Sequence, residues 1–217
     1  MLEQKEYWKS RTFYSNPQRF ATRLFVESKL NYIFKFIKAN SSNSILDVGA
    51  GNGTFTYYWT RYFGKAVGID ISDMLISQSP CRDKLIIGDA FHLPFKNNSF
   101  DVVFTSCLLH HVHTPLDVVK ELARTAKKYV VICEPNRNNP LMLLFSVVFS
   151  WERGGIRFSK NFLKGLIEKC GSMEIIALDS MGVITPNLTP SCLARIIRVF
   201  DKENILGFYN LLIAEKK

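Results

Sequence analysis

Three closely spaced glycines follow an apolar run and an aspartate in Ser44-Ile45-Leu46-Asp47-Val48-Gly49-Ala50-Gly51-Asn52-Gly53-Thr54. Glycine is needed where a backbone turns sharply out of a strand and passes close to a ligand, because a Cβ there collides with the ligand or forbids the required φ. The chemistry this points to is the cradling of a nucleotide-like cofactor. Two further apolar runs end in acid, Ala66-Val67-Gly68-Ile69-Asp70 and Leu85-Ile86-Ile87-Gly88-Asp89-Ala90. Taken alone, an aspartate after a strand reads equally well as a helix cap or turn residue. Asp47 can bond its own loop or contact a ligand. A second group of chemistry-bearing residues lies further on: His110, His111 and His113, with Cys107 before them and Glu134 after. An imidazole titrates near neutrality, so His110 or His111 can take a proton from a nucleophile, or else bond the backbone and pack its loop. A metal site is not expected, since the histidines lack a carboxylate or cysteine at ligand spacing. Cys107 reads as a small cleft-lining residue. Glu134 orients a substrate or makes a loop contact.

These residues need strands that bring them to one edge. Strands are expected at Ser44 to Val48, Ala66 to Ile69, Lys84 to Ile87, Val102 to Thr105, Tyr129 to Cys133, Met173 to Leu178 and Phe208 to Ala214. Helix-length segments lie between them, which predicts a mostly parallel α/β sheet of seven strands with helices on both faces and a ligand at its carboxyl edge. Between Pro17 and Ala39, Phe20, Leu24, Phe25, Leu30, Ile33, Phe34 and Ile37 recur at helical spacing, giving one or two helices ahead of the sheet. A helix follows the glycine loop from Gly53 to Tyr62, Ser72 and Asp73 cap a short one, Pro115 opens one reaching Ala126, and Ser159 caps one reaching Lys169. After Glu134-Pro135-Asn136 the rhythm changes to the apolar stretch Leu141 to Trp151, closed by Gly154-Gly155. It is too short to span a bilayer and reads either as a buried helix covering the cleft or as a substrate lid or lipid-contacting surface. One domain is expected over 1–217: an N-terminal helical cap (1–40), a cofactor-binding core (44–135), a variable substrate-side region with a small helical cap (136–170) and C-terminal strands (171–217).

With 217 residues, 47% hydrophobic and 13% aromatic, the chain can build a core without staples. Five scattered cysteines suggest neither a disulfide framework nor a zinc site. The polar start and the absence of a run of roughly 18 to 20 apolar residues lead to a cytoplasmic expectation. The formal charge of +9 favours an anionic partner. Its excess in the first forty residues contains no basic block, so RNA is a less favoured partner than a small or lipid-like molecule.

From Ile45 through Pro135 the chain resembles the class I S-adenosylmethionine-dependent methyltransferases, the seven-stranded Rossmann-like family, with four motifs in family order. The resemblance implies that backbone near Gly49, Ala50, Gly51 and Gly53 cradles the methionine part of the cofactor and that Asp70 accepts both ribose hydroxyls. A carboxylate suits that task, offering two acceptor oxygens with charge-assisted strength. It further implies that Ile71 packs on an adenine face, that Asp89 and Ala90 meet the adenine edge, and that Phe91 adds an apolar wall. Ser106 through Val112 resembles the segment of small-molecule, quinone-biosynthesis-type members that faces the reacting methyl group. A nicotinamide dinucleotide fingerprint fits less well, because its third glycine would fall at Thr54 rather than Gly53. The Asn/Asp-Pro-Pro-Tyr/Phe signature of amino-directed nucleic-acid and glutamine methyltransferases is missing. The family's frequent Leu-Lys-Pro-Gly-Gly turn before the fifth strand reads Thr125-Ala126-Lys127-Lys128-Tyr129 here. Tyr7, Trp8, Phe13, Tyr14 and Phe20 either close over the cofactor or pack an N-terminal helix. The expected activity is methyl transfer by in-line displacement to a small-molecule or lipid-like acceptor. An RNA methyltransferase and a non-catalytic cofactor-binding sensor or partner subunit stand as alternatives.

Overall fold

The computed structural model describes residues 16–186 and 188–217, so the expectations for Tyr7, Trp8, Phe13 and Tyr14 lie outside the described residues. The described chain runs α1 (Phe20–Ile33), β1 (Ser44–Val48), α2 (Thr54–Trp59), β2 (Lys65–Asp70), α3 (Asp73–Ser77), β3 (Leu85–Ile87), β4 (Phe100–Ser106), α4 (Pro115–Thr125), β5 (Ala126–Pro135), α5 (Pro140–Val148), α6 (Lys160–Cys170), β6 (Met173–Met181), α7 (Ser191–Ile197) and β7 (Tyr209–Lys216). The strands form one seven-stranded sheet in the order β3-β2-β1-β4-β5-β7-β6. All neighbours are parallel except β7, which is antiparallel to β5 and β6. The class I architecture expected from the sequence is therefore the one observed.

Alternation along the strands sends side chains to two faces, and each face needs its own helical cover. Ile45, Val102, Phe104 and Val131 face α1 and α2, where Phe25, Leu30, Ile33, Phe55 and Trp59 meet them. The Phe55 and Trp59 rings lie 4.7 and 5.1 Å from Phe104. Leu46, Val103, Val130 and Ile132 face α4 and α6, covered by Val118, Leu122, Leu163 and Ile167. Because β1 pairs with β2 on one side and β4 on the other, the strand order reverses there, and a crevice opens at the carboxyl ends. Side-chain caps set several helix starts. Ser72 accepts from Leu75 N–H, Asn139 from Leu141 and Met142 N–H, and Ser159 from Phe162 N–H.

Two expectations are corrected. Strand β5 begins at Ala126 rather than Tyr129, directly after α4, because Ala126 pairs with Phe100 and a register shift between Phe100 and Val102 absorbs the offset. The reading of Leu141 to Trp151 as a buried helix fails. A helix forms, but Leu141, Leu144, Val147 and Val148 are 54–62% exposed, and Met142 and Ser146 are its buried residues. Both sheet faces already have their helices, so α5, which follows the carboxyl end of β5, has no sheet face to cover. Among the described residues no helix is long and apolar enough to cross a membrane.

Candidate functional site

The loop after β1 holds Gly49, Gly51 and Gly53 at φ of +73°, +55° and +76°, conformations that side-chain-bearing residues rarely adopt. The Gly49 and Ala50 N–H groups donate to the Ile69 carbonyl at 2.9 and 3.1 Å. Gly51 N–H donates to Asp70 Oδ2 at 2.7 Å, and Ser72 N–H donates to Asp70 Oδ1 at 2.9 Å. The acid that ends β2 thus braces the glycine loop, while each of its oxygens keeps acceptor capacity. Burial pushes the Asp70 carboxyl up from its ordinary value, and the backbone N–H groups around it act in the opposite direction.

A cavity of about 690 Å³ opens beside this loop, within the range of small-molecule and cofactor sites. Gly49, Gly51, Asp70, Ile71, Asp89, Ala90 and Phe91 line one side, and Cys107, Leu108, His111, Val112 and His113 line the other. Asp47, Ala50, Gly53, Ser106 and His110 stand outside that lining. Ala50 and Gly53 belong to the loop itself, and Gly53 also starts α2. Asp47 is buried behind it, accepting from Thr56 Oγ1 at 2.7 Å. Ser106 ends β4. Asp89 accepts from Phe91 N–H at 3.0 Å, closing the turn after β3.

The opposite wall is built on one buried acid. Cys107 takes φ of +54°, a strained conformation for a non-glycine residue, and turns the chain out of β4. The turn aims the Leu108 and Leu109 N–H groups at Glu134 Oε1, at 3.0 and 2.7 Å. Glu134 Oε2 lies 2.6 Å from His110 Nδ1, and Glu152 Oε2 lies 3.0 Å from His110 Nε2. Burial pulls the His110 pKa down, but the two carboxylates outweigh it and raise the value to about 9. His110 is therefore an imidazolium donating from both nitrogens. His111, its neighbour, goes the other way. Burial and the adjacent His110 cation push its pKa well below the ordinary value, against the bond to Trp151. Its Nδ1 lies 3.1 Å from the Trp151 carbonyl, which can only accept, so Nδ1 carries the proton and Nε2 is the acceptor nitrogen. Burial also drives the Cys107 thiol upward, which removes thiolate character.

Glu152 was not singled out by sequence reasoning. It reaches His110 from 42 residues away, and with His111 it completes a trio whose ligand-type atoms lie within 4.8 Å of one another, supplying the carboxylate that local spacing lacks. Both His110 nitrogens in that trio are engaged by acids. The available signal was Gly154: a Cβ there would lie 1.6 Å from the His110 carbonyl oxygen, so only glycine lets the 3-10 segment Ser150–Arg157 close on this wall.

Residues 46–132 match the family model described as a methyltransferase domain. The fold is the class I one, and within it residues 46–132 are similar to a methyltransferase domain. The match to that domain covers β1 through most of β5, the part that holds the glycine loop, Asp70, Asp89 and the His110 turn. An uncharacterized methyltransferase of Schizosaccharomyces pombe is 30% identical over 125 residues, covering 49% of this chain and 44% of that one. A demethylmenaquinone methyltransferase of Thermobifida fusca is 32% identical over 108 residues, covering 45% and 46%. The chain thus spans about half the length of these curated relatives. A crystal structure of an S-adenosylmethionine-dependent methyltransferase from Thermotoga maritima, described as a possible histamine N-methyltransferase, superposes with a TM-score of 0.71 at 18% identity, covering 100% of this chain and 96% of that one. That likeness is one of fold. S-adenosylmethionine is the cofactor of such domains, and the residues fit it: the cavity has the volume, an acid with two acceptor oxygens stands at its wall, and Gly49 and Gly51 add no side chain there.

Proposed function

We propose that the chain transfers a methyl group from S-adenosylmethionine to a small-molecule or lipid-like acceptor. The observation that carries this reading is the meeting, in one cavity, of the Asp70 and Asp89 wall with a largely apolar wall that bears the neutral His111. Asp70 would hold the ribose hydroxyls, Asp89 and Ala90 the adenine edge, and Ile71 and Phe91 the adenine faces. The bound cofactor supplies an electrophilic methyl carbon on a sulfonium. Orientation and water exclusion then supply most of the acceleration of an in-line displacement. Leu108 and Val112 exclude water from that side of the cavity. His111 Nε2 would accept a hydrogen bond from an acceptor hydroxyl or amine and hold it in line. With its pKa depressed, His111 is a weak base and chiefly a positioning group. His110, engaged on both nitrogens, would act through the wall it braces.

Calorimetric titration with S-adenosylmethionine, and separately with NAD, tests the reading. Saturable binding of the first alone is expected. Asp70→Ala should weaken it by about 1.5–3 kcal/mol, roughly ten- to hundredfold. Ribose donors favour the ionised carboxylate, so affinity should decline as the pH is lowered through the raised pKa of Asp70, and Asp70→Asn should flatten that decline. Binding of NAD instead, or undiminished affinity in the Ala variant, would sink the reading. Methylated product from a labelled methyl donor in a cell extract would separate catalysis from a non-catalytic cofactor-binding role.

A further inference from the structure

Helix α5 has its apolar face turned outward. Leu141, Leu144, Val147 and Val148 fall at i, i+3, i+6 and i+7, one side of a helix, and all four are exposed. Its sequence, Pro140 to Val148, contains no charged residue. The face is rigidly mounted. Asn139 caps the helix and donates from Nδ2 to the Leu206 carbonyl at 2.6 Å, while Asn136 Nδ2 donates to the Gly207 carbonyl at 2.8 Å. These bonds seat a second apolar segment beside α5: Ile205 and Leu206 are exposed, as are Ile196, Val199 and Phe200 in the stretch that leads to them.

The charge around both segments is one-sided. Arg137, Arg153, Arg195, Arg198 and Lys202 are exposed. The acids of the same stretches are engaged within the protein. Glu152 pairs with His110, Glu203 with Lys35, and the buried Asp201 accepts from Val183 and Ile184 N–H. Apolar side chains ringed by cations are complementary to a bilayer surface with anionic headgroups. We propose that α5 and the segment from Ile196 to Leu206 form a docking surface for an anionic lipid bilayer. Phe145, Phe149 and Trp151 continue inward from this surface with ring centroids 4.6 and 5.1 Å apart, and the Trp151 carbonyl reaches His111 in the cavity wall. That the surface delivers a lipid-dissolved acceptor to the cavity rests on the methyl-transfer reading; the docking itself does not.

Flotation with vesicles of phosphatidylcholine, alone or mixed with phosphatidylglycerol, tests the proposal. The wild-type protein should float with the mixed vesicles, at least about tenfold more weakly with the neutral ones, and less in high salt. Leu144→Asp/Val148→Asp, at exposed positions, should keep the wild-type melting temperature and lose about tenfold or more of the binding. Arg198→Glu/Lys202→Glu should weaken it in the mixed vesicles alone. Failure of the wild type to bind mixed vesicles, equal binding by the Asp variant, or a dimer that this variant dissociates without any vesicle binding would overturn the proposal, the last assigning the face to a second copy of the chain. Titrating the same Asp variant with S-adenosylmethionine keeps the two readings apart. Its cofactor affinity should be unchanged whether or not it floats, and a wild type that floats but binds no cofactor would support the surface while sinking methyl transfer.

Discussion

Glu134→Ala is expected to destabilise the protein by about 3–5 kcal/mol, the cost of removing one partner from a buried ionic array. Glu134 is fully buried and accepts from Leu108 N–H, Leu109 N–H and His110. Truncation strands two backbone donors and leaves His110 with Glu152 alone; each orphaned buried donor costs about 1–3 kcal/mol. It also releases the turn that holds Cys107 in its left-handed conformation. Glu134→Gln keeps the volume and an acceptor for the N–H groups but lacks the negative charge, so its loss should be smaller. The pH dependence gives a second readout. The folded His110 pKa is raised from 6.5 to about 9, so between these values the folded state keeps a proton that the unfolded state has released. Its contribution is fully present below pH 6.5 and is lost as the pH rises through 9. The gap between wild type and Glu134→Ala in denaturant unfolding should therefore narrow toward alkaline pH. A variant that unfolds like the wild type, or a gap that does not change across this window, would refute the assignment.

Asp47→Asn is expected to raise stability above neutral pH and to flatten its pH profile. Asp47 lies inside the sheet, in register with Gly68 on one side and Phe104 on the other. Burial raises its carboxyl from 3.8 to about 7; the Thr56 hydroxyl opposes the shift and Asp70 adds to it. The folded state then binds a proton that the unfolded state has lost, from about pH 4 to about pH 7. Stability from this group is full below pH 4 and falls as the pH climbs through 7, by roughly 4 kcal/mol at most. Asparagine cannot ionise and still offers an oxygen to Thr56. Melting curves of both proteins across pH 4 to 8 should diverge as the pH rises. Parallel curves would mean that the buried carboxylate is accommodated without cost.

Most of the fold was open to reading because its determinants are local. The apolar runs at Ile45 to Val48 and Val102 to Phe104, the caps Ser72 and Ser159, and Pro115 in a first helical turn depend on near neighbours in the chain. So does the glycine loop, whose positive φ values follow from the missing Cβ. Asp70, Ile71, Asp89, Ala90 and Phe91, at or just beyond the carboxyl ends of β2 and β3, were picked out by the family resemblance before the cavity they line was known.

The sequence by itself therefore determined the strand-and-helix order, the seven-stranded architecture and the strand ends beside which the cavity opens. Only the tertiary structure decided that His110 is a cation held between Glu134 and Glu152 while His111 beside it is neutral and faces the cavity. It also turned Asp47 into a bracket for α2 and left the apolar face of α5 in solvent. Those outcomes hang on burial and on partners up to 42 residues away. Desolvation and long-range pairing arise from the packing of separate elements, and no local window of residues contains them.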